Sequence, residues 1–157
     1  MQDFLKKYLP NKKKEVVLVA IQFIIIILHF INFLDLELVS FYSSNIYKNL
    51  FGTLIIIIGI LGFVLSFKDL GKNISPFPTP LKKGSLVTFG IYRWISHPMY
   101  YSTTLISIGL FLRYLNLFNL FLTLCLIFIF KFKIQIEENY LRRKYKNYQI
   151  YKNNLKI

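Results

Sequence analysis

The chain has 157 residues, 55% of them hydrophobic and only 17% charged, against about 25% charged in a typical soluble domain. Apolar residues gathered in long runs exclude both an ordinary water-soluble fold and a disordered chain, and the length allows one domain. Twenty basic against seven acidic residues give a net charge of +13, but the cations lie between the apolar runs, as in a membrane protein, and not in a nucleic-acid-binding patch.

The first predicted span, Val16 to Leu34, follows the basic residues Lys12, Lys13 and Lys14 with no small-residue cleavage site, and reads as a retained signal anchor. It is long enough to cross a bilayer core as a helix. Gln22, His29 and Asn32 fall on one side of it, which should face a helix bundle, with His29 in an interhelical hydrogen bond and not on a metal. The second span, Leu50 to Phe67, carries Gly52, Gly59 and Gly62 on one stripe, a pattern that lets helices pack closely in lipid. Lys68 to Trp94 is a polar connector broken by glycines and by Pro76, Pro78 and Pro80, so it is no regular helix.

Two shorter runs follow, about Pro98 to Leu112 and Leu117 to Ile136, joined by an interfacial turn at Arg113–Asn116 into a tight hairpin. Ser102, Thr103, Thr104 and Ser107 on the third run can hydrogen-bond to neighbouring helices or to their own backbone. Lys131 and Lys133 should snorkel at the end of the fourth. The tail from Glu137 has Leu141, Tyr145, Tyr148 and Tyr151 at spacings of four, three and three, the mark of an amphipathic helix on the membrane surface. The lone Cys125 excludes an intrachain disulfide and a cysteine metal cluster.

The charge of the polar segments alternates. The segment before Val16 carries +3, Asp35–Asn49 carries −1, Lys68–Trp94 carries +4, the turn at Arg113 +1, and the segment from Lys131 onward +6. The positive-inside rule then gives an all-α membrane domain over residues 1–157, with four spans and with both termini and the middle connector in the cytoplasm.

Two clusters near the cytoplasmic membrane edge carry chemistry-bearing side chains. One runs from Gly90 to Tyr100 and contains Tyr92, Arg93, His97 and Tyr100. Local signals also allow a structural role, with Pro98 opening a helix, Ser96 or His97 capping it, and the aromatics forming an interfacial belt. The other is Glu137-Glu138, four to five residues before Arg142. Adjacent carboxylates repel and need nearby cations, which Arg142 and Arg143 or a cationic ligand could supply.

Taken together and in order, Leu86-Val87-Thr88-Phe89-Gly90-Ile91-Tyr92-Arg93, His97-Pro98-Met99-Tyr100 and Glu137-Glu138-Asn139-Tyr140-Leu141 with Tyr145, Tyr148 and Tyr151 resemble the integral membrane methyltransferases of the isoprenylcysteine carboxyl methyltransferase and phospholipid methyltransferase superfamily. Asn73-Ile74-Ser75-Pro76-Phe77-Pro78 is similar to the bacterial members, and the likeness covers roughly residues 71–151. The chain departs from the pattern at Ser96, where the family usually has arginine, leaving Arg93 as a substitute guanidinium, and at Ile91, Ser102 and Lys146.

The resemblance implies S-adenosylmethionine as methyl donor, held by the connector and the final helix of a bacterial cytoplasmic-membrane protein. Carried over by residue, Leu86 and Val87 flank the adenine and Gly90 allows close backbone approach. Tyr92, His97 and Tyr100 bond the amino-acid end, while Glu137 and Glu138 face the ammonium, ribose or sulfonium. His97, Glu138 and Arg142 are the implied catalytic residues, and no metal is required. The implied acceptor is a lipophilic or small molecule, with membrane lipids as partners. Methylation of a phospholipid headgroup amine is the alternative enzyme reading, and a non-enzymatic accessory protein the alternative class.

Overall fold

In the computed structural model of the chain, residues 12–33 and 46–155 are described, and they form helices, turns and irregular connections with no strand among them. Helix α1 spans Lys12–Phe33, α2 Ile46–Leu70, α3 Pro98–Tyr114, α4 Leu117–Lys144 and α5 Tyr148–Asn153. Short 3-10 turns lie at Gly71–Asn73 and Gly90–Arg93. The side chain of Asn32 and most of the Asp35–Asn49 connector lie outside the described residues.

Among the described residues, two stretches are long and apolar enough to cross a membrane by length and composition, Asn49–Asn73 and Leu117–Lys144. At about 1.5 Å per residue, the 17 residues of α3 fall a little short of a bilayer core. Leu54, Ile57, Ile58, Leu61, Val64 and Leu65 of α2 are all exposed. A belt of that size suits lipid and not water. The chain is an all-α membrane protein.

The helices stand in the order α2, α3, α4, α1. Close contact runs between α2 and α3, between α3 and α4, and between α4 and α1, while α1 and α2 scarcely touch. The glycine stripe explains the first contact. A Cβ on Gly52 would lie 2.7 Å from the backbone nitrogen of Arg113, and one on Gly59 would lie 2.9 Å from the Ser102 carbonyl. Gly62 meets the Ser102 side chain, and Gly109 of α3 faces the Gly52 carbonyl in return. Arg113 closes the end of this interface by donating from Nη1 to Thr53 Oγ1.

Ile25 of α1 packs with Leu122, Leu126, Ile129 and Phe130 of α4. The polar face expected on α1 points into the bundle as read from the sequence. His29 Nε2 sits 2.8 Å from Ser107 Oγ, and Ser107 Oγ sits 2.7 Å from Thr123 Oγ1, a three-helix chain of buried hydrogen bonds. The two-residue α3–α4 connection places Leu115 at φ 44° and lets Asn116 cap α4 by accepting from the Phe118 amide at 2.7 Å.

Two expectations about the C-terminal half change. Lys133 does not snorkel: it is 1% exposed and donates to Gln22 Oε1 and, at 2.9 Å, to the Pro76 carbonyl. Lys131 alone is exposed. The fourth helix also runs past Ile136 to Lys144, so Glu137, Glu138 and Leu141 belong to α4, and the tail breaks at Tyr145 before the short α5.

The glycine contacts give a direct test. Gly52→Ala should cost on the order of 1–3 kcal/mol by overpacking against backbone that cannot move aside. Thermal unfolding in detergent should show a lower midpoint for this variant and an unchanged one for the lipid-facing Leu61→Ala.

Candidate functional site

The connector is folded against the helix ends by a small set of side chains. Asp69, at the end of α2, accepts from the Ile91 amide at 2.8 Å. Gly90 has φ +59°, and a Cβ there would lie 1.9 Å from Asp69 Oδ2. A side chain at 90 is therefore excluded twice, by backbone conformation and by the carboxylate. Asn73 Oδ1 accepts from the Ser85 amide at 2.8 Å, which draws the two ends of the proline-rich stretch together. Glu15 of α1 is buried and accepts from Thr79 Oγ1 and Tyr140 Oη, each at 2.7 Å, joining α1, connector and α4.

The tail adds a second layer. Tyr145 Oη donates to the Gly84 carbonyl at 2.7 Å and Tyr151 Oη to the Tyr92 carbonyl at 2.6 Å. Lys152 reaches Glu138 Oε1, and Arg142 Nη2 lies 3.4 Å from Glu138 Oε2. The break at Tyr145 makes this closure possible, since Lys152 on a continuous helix would stand about 21 Å along the axis from Glu138 at the helical rise.

Between α1 and α2, with α3 and α4 as its walls, lies a cavity of about 800 Å³. Most of its wall is apolar, including Ile26, Ile56, Ile60, Phe63 and Phe130. Its other end is lined by Tyr92, Ser96, His97, Tyr100 and Glu137. There Tyr100 Oη donates to Glu137 Oε2 at 2.8 Å, and His97 Nδ1 stands 3.8 Å from the same oxygen. His97 Nε2 is 3.4 Å from Glu138 Oε1, inside ion-pair range but without hydrogen-bond geometry, so among the described residues this buried nitrogen has no hydrogen-bond partner. The hydroxyl of Tyr148, a residue only 1% exposed, has none either.

Burial sets the electrostatics. It pushes the His97 imidazole below its ordinary pKa, an effect that Glu137 opposes and Lys152 reinforces. Burial, then the Glu137 charge, raises the phenols of Tyr92 and Tyr148. Burial alone pushes Tyr151 up to about 12 and lowers Lys152. At neutral pH the rim thus holds neutral phenols and a neutral imidazole beside two carboxylates.

Of the residues singled out in the sequence, Tyr92, His97, Tyr100 and Glu137 meet on the cavity wall. Glu138 stands behind His97, tied to the tail. Leu86, Val87 and Gly90 lie off the cavity wall, with Val87 buried in the connector. Arg142 and Arg93 are exposed at the surface, and no guanidinium lines the cavity beside Ser96. His97 precedes α3 without capping it by its side chain, while Pro98 takes the first helical turn. Sequence reasoning missed Asp69, Lys133, Lys152 and Glu15. Of these only Lys133 carried a signal, as a charge deep in an apolar run.

An apolar helical bundle around a cavity that is greasy along most of its length and ionisable at one end is an integral membrane protein built for a ligand with both characters. The sequence profile of the phospholipid methyltransferase family matches residues 47–148. The chain belongs to that family, within the isoprenylcysteine/phospholipid methyltransferase superfamily that its motifs resemble, and methyl transfer in a membrane is the family's chemistry. No curated protein and no solved structure matches the chain.

The depressed His97 pKa predicts a pH effect. The folded state binds fewer protons than the unfolded chain below about pH 6.5, the ordinary histidine value, so stability should fall as pH drops through that value. Histidine NMR in detergent should show His97 taking up its proton at lower pH than an exposed imidazole.

Proposed function

We propose that this chain transfers a methyl group from S-adenosylmethionine to a lipophilic acceptor at the rim defined by Tyr92, His97, Tyr100 and Glu137. The observation that carries the reading is the pair of carboxylates about His97, with Glu137 3.8 Å from Nδ1 and Glu138 3.4 Å from Nε2, a buried nitrogen that has no hydrogen-bond partner among the described residues. Buried polar atoms ordinarily have partners. An orphan nitrogen beside two carboxylates fits a ligand that brings donors, acceptors and positive charge, as the methyl donor does.

When bound, the donor supplies a methyl group already activated on a sulfonium. The protein's part is alignment, which alone can contribute ~7–11 kcal/mol. Glu137, fixed by Tyr100, and Glu138, fixed by Lys152 and Arg142, offer negative charge to a cationic ligand. His97, on the cavity wall, supplies a directional hydrogen bond. Leu86, Val87 and Gly90 would then act through the fold of the connector, with Gly90 making room for Asp69. The acceptor's apolar part would lie in the long arm of the cavity, reached from lipid where α1 and α2 stand apart. For an amine acceptor, neutral His97 is the available base; a carboxylate acceptor needs none. We place the rim and both termini on the cytoplasmic side, where the charge pattern puts the basic segments.

The acceptor has two readings. An isoprenylcysteine-like carboxylate agrees with the order of the motifs, while the family profile favours a phospholipid headgroup amine. Mass spectra of lipids from cells with and without the protein separate the two.

Calorimetry on the detergent-purified protein should show saturable binding of S-adenosylmethionine, weakened roughly tenfold or more by His97→Ala and by Glu138→Ala, the scale of a lost charge-assisted contact. Absence of binding by a folded wild type would remove the reading.

A further inference from the structure

Among the described residues, Lys133 is the one cation on the wall of the large cavity. It lies just past the middle of α4 and is almost wholly buried. An ammonium has three N–H donors and no acceptor. Here two of them meet Gln22 Oε1 of α1 and the Pro76 carbonyl of the connector, and the charge lies 5.3 Å from the centre of the Tyr100 ring. All three partners are neutral. Among the described residues no carboxylate comes within 4.0 Å of Lys133. Glu137, one turn further along α4, is held by the Tyr100 hydroxyl.

A buried charge whose hydrogen-bond partners are all neutral is costly even with Glu137 acting on it from beyond ion-pair range, and inside an apolar bundle such residues mark a ligand pathway. A pin between α1, the connector and α4 needs no charge, because a glutamine amide could bond the same two oxygens. The position is also informative. Lys133 lies where the apolar arm, with Phe130 one turn before it, gives way to the rim at Glu137. An amphiphile with its tail in that arm would bring its first polar group to this level.

We propose that Lys133 is the residue that selects the methyl acceptor, by seating an anionic oxygen group, carboxylate or phosphate, that joins an apolar tail to the reacting end. The proposal rests on the methyltransferase reading for the word acceptor, but the anion site stands on its own geometry. It makes Lys133 a specificity residue, distinct from the groups assigned to the methyl donor. Tyr100 links the two, since its ring faces the Lys133 ammonium and its hydroxyl fixes Glu137.

The test measures equilibrium binding of radiolabelled dodecanoate, dodecyl phosphate and dodecanol to the full chain in an uncharged maltoside detergent. At least one anion should bind roughly ten- to a hundredfold tighter than the alcohol, the range expected for a buried charge-assisted hydrogen bond. Which anion wins identifies the group. Lys133→Met should erase the preference. Gln22→Glu, which keeps the lysine and gives it a built-in carboxylate, should erase it too and guards against a misfolded methionine variant. Equal binding of alcohol and anions by wild type, or a preference that survives in a folded Lys133→Met or in Gln22→Glu, would overturn the proposal. Loss of stability alone in Lys133→Met, with the preference kept, would make the lysine a structural pin. Calorimetry with S-adenosylmethionine on the same wild-type preparation keeps the two ideas apart. Donor binding without anion preference sinks only this inference, and anion preference without donor binding sinks only the methyltransferase reading.

Discussion

Two adjacent carboxylates at the end of a membrane helix repel each other and resist leaving water, and the polar end of this protein is organised around that constraint. Glu137 is steadied from α3 by the Tyr100 hydroxyl, and Glu138 from the tail by Lys152 and from its own helix by Arg142. His97 stands between them with one nitrogen toward each. The tail must double back to deliver Lys152, and Tyr145 and Tyr151 hold it there through carbonyls of the connector. The connector in turn is shaped by Asp69 against Gly90 and by Asn73 against Ser85. The negative charge at this end is thus already oriented and needs little rearrangement to meet a cation.

The apolar half of the molecule follows from a contrast between two helix interfaces. Glycine on α2 and on α3 lets backbone meet backbone, so these helices close fully. On the other side, α1 is held to α4 by the core around Ile25 and by the His29–Ser107–Thr123 chain, and it is left apart from α2. The gap between them is the long arm of the cavity. Close packing in one place and its absence in another thus yield an apolar space leading to the charged rim.

Much of this was legible in the residues. Long apolar runs gave the helices, the stripe of Gly52, Gly59 and Gly62 gave the tight interface, and Gln22 and His29 gave the inward face of α1. The order of motifs led to the family, and Tyr92, His97, Tyr100 and Glu137 do meet on one wall. What was hidden depended on third dimensions. Lys133 looks like a snorkelling lysine until α1 and Pro76 are seen to cover it. The spacing of Leu141, Tyr145, Tyr148 and Tyr151 is helical, yet pairing Lys152 with Glu138 requires a break, and a long-range ion pair outweighs local periodicity. Asp69 and Glu15 gave no sign, because each acts on backbone or side chains far along the chain.

The central claim is that the rim between His97, Tyr100 and the two glutamates carries out methyl transfer into the lipid-facing cavity. Membranes from cells producing the protein, incubated with S-adenosylmethionine labelled on its methyl group, test it most directly. The account predicts label in the organic extract of wild-type membranes and its loss with Glu137→Gln at equal protein abundance. Label that never enters the organic phase, or that enters it equally with Glu137→Gln, would contradict it.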